Sequence, residues 1–420
     1  MLQSVRWAAS ALRAALALLV LGLQALLIAG SSRSRVATGE HPRLVYGPLP
    51  IFSFKYMSRA MRTAGYEATT VVHELYGIHG PDDFDVVAGG PLPGWEPGPL
   101  GRVAGLLGAD YGLFAWTLAR FDVYHCFFDG GFLRQTPLRF LEVRLLHLAG
   151  KRLIVMPYGS DNAVPSRIRS LAWREGLMRN YPVLGRIEDR TIRWIEHYSR
   201  HADFLVACLV HAETMPRWDL LTTHFYPIDT DAWPLQPPST NDGRNGTVVV
   251  VHAPNHRGMK GTEFLIAACD QLRGEGLDVQ LRLLEGVPNT EVKAAMAAAD
   301  IIAEQFLLGY ALTAMEGMSL GRPVLSNLSD PTYYDVHRWT TGLDECPIVS
   351  TRPEEVADHL RVLVTDPQRR ARLGLAGREY VLRFHSYAAM ASLWDAVYRR
   401  VWAAEKVDPG EALPHRRPRE

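Results

Sequence analysis

Apolar positions along this chain fall into one long run and many short ones. The long run is residues 14–30, AALALLVLGLQALLIAG, in which Gln24 is the only strongly polar side chain. A membrane-spanning helix needs about 20 such residues, so the run is just long enough with help from its flanks. The short runs begin at residues 43–47 (RLVYG), a buried strand that ends in a Gly-Pro-Leu-Pro loop. Residues 54–64 have helical spacing and stop at Gly65, and the β-branched stretch 67–73 (EATTVVH) predicts a second strand. Strand, helix and strand at this length predict a parallel βαβ unit. Residues 84–88, 123–128, 152–157 and 204–207 predict further strands, with helices over 138–148, ended by Gly150, and 191–202.

The character changes at residues 233–246 (WPLQPPSTNDGRNG), whose Pro, Asn, Gly and Ser content predicts a linker. The pattern then restarts. Residues 247–252 (TVVVVH) predict a central parallel strand. Helices over 262–272, 290–298 and 312–319 alternate with strands over 279–284, 300–303 and 323–326. Helices over 354–365, 367–384 and 387–404 follow. The expected division is a hydrophobic helix or anchor over 1–37, a first Rossmann-like domain over 38–232, the linker 233–246 and a second over 247–384. A helix over 385–405 and a disordered tail over 406–420 complete it. Ligands of open parallel sheets bind at the carboxyl ends of the strands, so a cleft between the two halves is the expected site.

Composition adds exclusions. A chain of 420 residues with 47% hydrophobic and 21% charged residues suits two folded domains. Lys+Arg and Asp+Glu both number 45, so no global basic field exists to hold a nucleic acid. The four cysteines, Cys126, Cys208, Cys269 and Cys346, are widely spaced, which argues against a zinc cluster or a disulfide framework.

Two segments carry chemistry. The first, residues 252–263 (HAPNHRGMKGTE), follows a buried strand and opens a helix. Free N–H groups and the helix dipole attract phosphate there. Gly258 and Gly261 permit close backbone approach, and Arg257 and Lys260 add two cations suited to a diphosphate. A solvated turn with incidental charges is the competing reading. The second segment is residues 309–324 (GYALTAMEGMSLGRPV). Its helix carries Glu316 on an otherwise apolar surface. A buried carboxylate needs donors, and the vicinal hydroxyls of a ribose would supply them. The alternative is an exposed surface glutamate.

Together these segments resemble the donor domain of retaining GT-B glycosyltransferases, specifically family 4 (glycosyl transferases group 1). The resemblance rests on Arg257, Lys260 and Gly261, on Ala299–Ile301 (Ala-Asp-Ile), and on the stretch from Glu316 to Val324, and it covers roughly residues 247–347. It implies an α/β, GT-B architecture: two Rossmann-like domains with parallel sheets facing across a cleft, plus the N-terminal hydrophobic helix. It implies that Arg257, Lys260 and Gly261 hold the donor diphosphate. Glu285, Gly286 and Val287 would lie against the base. Backbone amides of Gly309, Tyr310, Ala311 and Leu312 would also face the phosphates, and Glu316 would hold the ribose. In the first half, the segment carrying His125 and the Gly159-Ser160-Asp161 turn resemble cleft-facing elements. That implies that His125 and Asp161 act near the reacting sugar, although a core histidine and a turn carboxylate are equally open.

Two departures stand out. The family places a second glutamate eight positions before Glu316, where this chain has Leu308, and the nearest carboxylate is Glu304. Only one strand–helix unit separates the Lys260 helix from Ala299, where the family has two. The implied function is transfer of a sugar from a nucleoside diphosphate sugar to an acceptor hydroxyl, with retention, no metal and no further cofactor. The acceptor class is a glycan, a lipid-linked molecule or a small molecule, entering by the loops at 48–54 and 89–94. The alternatives are a non-catalytic GT-B protein that binds a nucleotide or partner, and a sugar-nucleotide epimerase. For residues 14–30 the readings are membrane contact through an anchor, a signal peptide and a misassigned start. Donors of this type are made in the cytosol, which favours the cytoplasmic face of the membrane, or the cytoplasm.

Overall fold

The computed structural model describes residues 2–90, 92–93, 98–223 and 226–413. The first half builds a seven-stranded parallel sheet from β1 (Leu44–Tyr46), β2 (Ala68–Val72), β3 (Val86–Val87), β4 (Val123–Cys126), β5 (Arg152–Val155), β6 (Phe204–Ala207) and β7 (Leu220–Leu221). Its order is β3-β2-β1-β4-β5-β6-β7, so the winding reverses between β1 and β4. Nearly every strand residue is buried, as expected for strands covered on both faces by helices. The helices of this half are α1 (Leu2–Ala37), α2 (Phe52–Thr63), α3 (Pro99–Leu107), α4 (Ala109–Arg120), α5 (Glu142–Leu148), α6 (Leu171–Asn180) and α7 (Glu188–His201).

The second half builds a five-stranded parallel sheet from β8 (Val248–His252), β9 (Val279–Leu283), β10 (Ile301–Ala303), β11 (Val324–Ser326) and β12 (Val349–Ser350). The order is β12-β11-β10-β8-β9, so its reversal lies between β8 and β10. The helices are α8 (Arg257–Lys260), α9 (Thr262–Gly274), α10 (Asn289–Ala297), α11 (Leu312–Ser319), α12 (Pro331–Thr341), α13 (Val356–Thr365), α14 (Pro367–Phe384) and α15 (Tyr387–Val401). Strand β9 is the sheet edge, so only β9 and α10 stand between α9 and Ala299.

Helix α15 returns to the first half, where Met390, Leu393, Trp394, Val397 and Tyr398 join a core with Tyr46, Phe54, Met57 and Phe127. The crossing is tied by the Ile228 N–H, which donates to the His385 carbonyl at 2.8 Å. Residues 234–241 have no regular structure, but they are stapled rather than loose. The Gln236 N–H donates to the Leu320 carbonyl at 2.9 Å, and the Arg322 guanidinium donates to the Pro237 carbonyl at 2.9 Å.

Helix α1 lies along the first half. Ala14, Ala17, Leu21, Ala25 and Ala29 recur every three or four residues and are buried. This face of mostly small side chains lets the helix approach α3, α4 and α5 closely. The Gln24 amide N–H donates to the Ala115 carbonyl of α4 at 2.8 Å, which ties the one strongly polar side chain of the apolar run to the first half. The expected disordered tail is corrected over its described part. Pro409–Ala412 forms a 3-10 turn whose Asp408 cap accepts the Gly410 N–H, and Leu413 is buried in the core with α15. Residues 414–420 lie outside the described residues, as do Pro91 and Gly94 of the loop expected to admit an acceptor.

Candidate functional site

The reversal point of the second sheet sets the site, because the loops after β8 and β10 diverge there and leave a crevice. His252 ends β8, and its ring is fixed by both nitrogens, Nδ1 to the Ala303 carbonyl and Nε2 to Thr262 Oγ1, each at 2.8 Å. It thereby clamps β10 and α9 to the strand. Helix α8 is a single turn that ends at Gly261, whose φ of 69° is left-handed and suits glycine. That turn carries Lys260 over the crevice. A cleft of about 470 Å³ opens here, lined by Phe52, Tyr158 and Gly159 from the first half and by Lys260, Gly286 and Glu316 from the second.

Lys260 Nζ donates to Glu304 Oε1 at 2.7 Å and to Gln305 Oε1 at 2.8 Å. The other Glu304 oxygen accepts the Ala311 N–H at 3.0 Å. Ala311 is the N-cap of α11, so a buried carboxylate occupies the helix start and meets the only lysine of that loop. One ammonium and one helix-end amide therefore converge on a negative group at the cleft floor. Glu316 sits one turn along α11, 7% exposed, and burial pushes its carboxyl up to about 8. Its carboxyl accepts the Tyr56 hydroxyl of α2 at 3.0 Å, and Tyr56 in turn accepts the Trp233 indole N–H at 3.2 Å.

Gly286, Val287, Gly309, Tyr310, Ala311, Leu312, Lys260 and Glu316 all line the cleft. Three expected neighbours do not. Arg257 points to the outer side of the loop, where its guanidinium is held by Glu285 at 2.9 and 2.8 Å and by Glu263 at 2.9 Å. Two acids within reach fix that side chain, and Glu285 lies outside the cleft lining with it. Gly261 is buried beneath Phe306 and serves the turn rather than the cleft. The close approach expected of Gly258 is real but has another partner: a Cβ there would meet Asn180 Oδ1 at 2.6 Å. Helix α6 presses on α8 at this point, and Asn180 also accepts the Met259 N–H at 2.8 Å.

His125 is corrected as well. It is fully buried between Tyr46, Trp394 and Tyr398, with the Tyr398 hydroxyl 3.0 Å from Nε2 and the Tyr46 ring 4.3 Å away. Burial pushes it down to about 3, so it is a neutral core histidine outside the cleft lining. Asp161 is 5% exposed and accepts the N–H groups of Phe128, Tyr158 and Gly159 at 3.1, 3.0 and 2.9 Å. Burial and the charge of Asp129 raise it to about 7 against those three donors. It organises the turn whose Tyr158, Gly159 and Ser160 face the cleft, without facing it itself.

Sequence reasoning missed Tyr56, Trp233 and α6. Nothing local marks Tyr56, which reaches Glu316 across 260 positions. Glu304 carried one signal, a carboxylate placed directly after a buried strand. Leu308, in the family's glutamate position, is 2% exposed and packs with Ala314 and Met315.

Two parallel sheets, each with its reversal point turned to a shared cleft, define the class: this chain has the GT-B fold. Over about a third of its length it is similar in sequence to known glycosyltransferases. No family model matches the chain. A stretch of 134 residues, 32% of this chain, is 32% identical to a D-inositol 3-phosphate glycosyltransferase of Corynebacterium glutamicum. A stretch of 131 residues is 32% identical to the protein of that name from Corynebacterium efficiens. The matches span 31% and 30% of those relatives' lengths, so about a third of each is matched. Among solved structures, Anabaena Alr3699/HepE with UDP and glucose superposes with a TM-score of 0.54 at 13% identity, covering 85% of this chain and 99% of that one. The same protein with UDP-glucose gives a TM-score of 0.51 at 13% identity, covering 84% and 97%.

Proposed function

We propose that this protein transfers a sugar from a nucleoside diphosphate sugar to an acceptor hydroxyl. The carrying observation is the convergence of Lys260 Nζ and the Ala311 N–H on one carboxylate, at 2.7 and 3.0 Å, in a cleft that also holds Glu316. An ammonium and a helix-end amide that hold a carboxylate also suit a phosphate. Lys260 has three N–H donors, of which Glu304 and Gln305 take two, so one remains for a donor oxygen. In the reaction the bond from C1 to the diphosphate oxygen breaks with its electron pair. A bond from the acceptor oxygen to C1 forms, and the acceptor proton passes to the departing diphosphate or to water. The negative charge that develops on the diphosphate lies where these groups oppose it most strongly.

The names of the relatives and the UDP and UDP-glucose complexes of HepE support this reading. Glu316 and Tyr56 serve the ribose in this proposal, and Gly286 and Val287 the base. Retention and metal-free chemistry stay part of the proposal, as does work at the cytoplasmic face of a membrane. The acceptor class is a glycan, a lipid-linked molecule or a small molecule. A panel of nucleoside diphosphate sugars, read by melting temperature and by release of free nucleoside diphosphate with and without acceptor extracts, tests it. A donor that raises the melting temperature and is consumed faster with acceptor supports transfer. A panel with no stabilising donor, or only an isomerised sugar nucleotide, overturns it.

A further inference from the structure

Helix α1 has two faces. While its alanine face packs on the first half, Leu12, Leu16, Leu19, Leu23, Leu26 and Leu27 point away from the protein, with Leu19 70% and Leu27 69% exposed. Residues 12–27 make a leucine stripe roughly 22 Å long at 1.5 Å per residue. Neighbouring α3, which packs directly on α1, adds Leu106 at 88% exposure and Val103 at 43%. Scattered exposed leucines need no explanation, but a contiguous apolar patch on two adjacent helices marks a covered surface.

Charge names the cover. The 36 residues of α1 include no Asp or Glu and four arginines, Arg6, Arg13, Arg33 and Arg35. Arg35 is held by Glu40 and Asp122, but exposed Arg13 lies within the leucine stripe and exposed Arg33 beyond its C-terminal end, and α3 has no acid. A second copy would set arginine against arginine. An anionic leaflet offers acyl chains to the leucines and headgroup charge to the arginines.

We propose that α1 and α3 together form a monotopic membrane face, with α1 lying in the plane of an anionic leaflet rather than crossing it. Crossing would strip Ala14, Ala17, Leu21 and Ala25 from the first-half core and break the bond from Gln24 to Ala115. Lying flat keeps both and gives lipid only the side chains that are already outside. The proposal does not rest on sugar transfer, and its test contains no donor.

The test is flotation of the full chain with vesicles of phosphatidylcholine alone and of phosphatidylcholine with phosphatidylglycerol. The wild type is expected to float with the phosphatidylglycerol vesicles, less so at high salt, and to be released by an alkaline carbonate wash. The double variant L19E/L27E alters only exposed positions, so it is expected to melt as the wild type does and to lose roughly tenfold or more of the association. L106E, on α3, is expected to weaken it as well. Failure of the wild type to float, or equal flotation of L19E/L27E, overturns the proposal. So does resistance to carbonate, which would mean a crossing helix. A lipid-free dimer that L19E/L27E converts to a monomer would replace the membrane with a second copy.

Discussion

The Lys260 ammonium lies 2.7 Å from Glu304, and the other oxygen of that carboxylate takes the Ala311 N–H at 3.0 Å. An internal acid thus sits among the groups proposed to receive a donor phosphate. Glu304 is four residues ahead of Leu308, on the end of β10 rather than on the loop before α11. Its position lets it orient Lys260, and it sets up the first test.

Replacing Lys260 with Met is expected to lower donor affinity roughly tenfold or more, since a hydrogen bond to a charged group contributes ~1.5–3 kcal/mol. It also strands a buried carboxylate, so stability should fall too. The double variant K260M/E304Q separates the two effects. Stability, measured by urea unfolding, should recover while donor affinity, measured by calorimetry, stays low. Recovery of both would remove Lys260 from the donor site.

Arg257 should behave differently. Its pairs with Glu263 and Glu285 are exposed and screened by solvent. Arg257→Ala is expected to leave the unfolding midpoint close to that of the wild type and to change donor affinity by no more than about twofold. A loss of affinity as large as that of K260M would show that the side chain swings into the cleft when a donor arrives.

Tyr56→Phe removes a hydroxyl that donates to Glu316 and accepts from Trp233. Two buried polar groups lose their partner, and the expected cost is ~1–3 kcal/mol. Unfolding in urea measures it. A neutral result would mean that water replaces the hydroxyl.

Glu316 gives a pH dependence with a definite sign. Its folded carboxyl is raised to about 8 by burial, while in the unfolded chain it returns to the ordinary value of about 4.3. Between those values the folded state binds the proton and the unfolded state does not, so this group's contribution to stability is lost as pH rises through about 8. Glu316→Gln is expected to flatten that part of the stability curve between about pH 5 and 8. Denaturant midpoints at several pH values check it, and an unchanged slope would place the titration elsewhere.

His125→Phe is expected to leave turnover of a bound donor largely unchanged while lowering stability by ~1–2 kcal/mol, through loss of the Tyr398 contact. A collapse of kcat with stability intact would reinstate it as a reacting group.

Much of the architecture was readable because it is local and periodic. The apolar run of β8, the glycine stop after α8 and the restart of pattern after residue 246 follow from burial on two faces and from backbone conformations that few residues adopt. Lys260, Gly286 and Glu316 were legible for the same reason: each occupies a fixed offset from a strand end, and the strand ends set the cleft. What only the tertiary structure decided were the choices between partners. Arg257 was expected at a diphosphate, and two acids, Glu263 and Glu285, hold it instead. His125 was strand-end chemistry until α15 returned from the other half and sealed it under Trp394 and Tyr398. The run 14–30 was apolar in either reading, and packing of its alanine face on α3, α4 and α5 gave it two sides. Periodicity reports which residues leave water. Which neighbour they meet depends on contacts hundreds of positions away, and no local pattern encodes those.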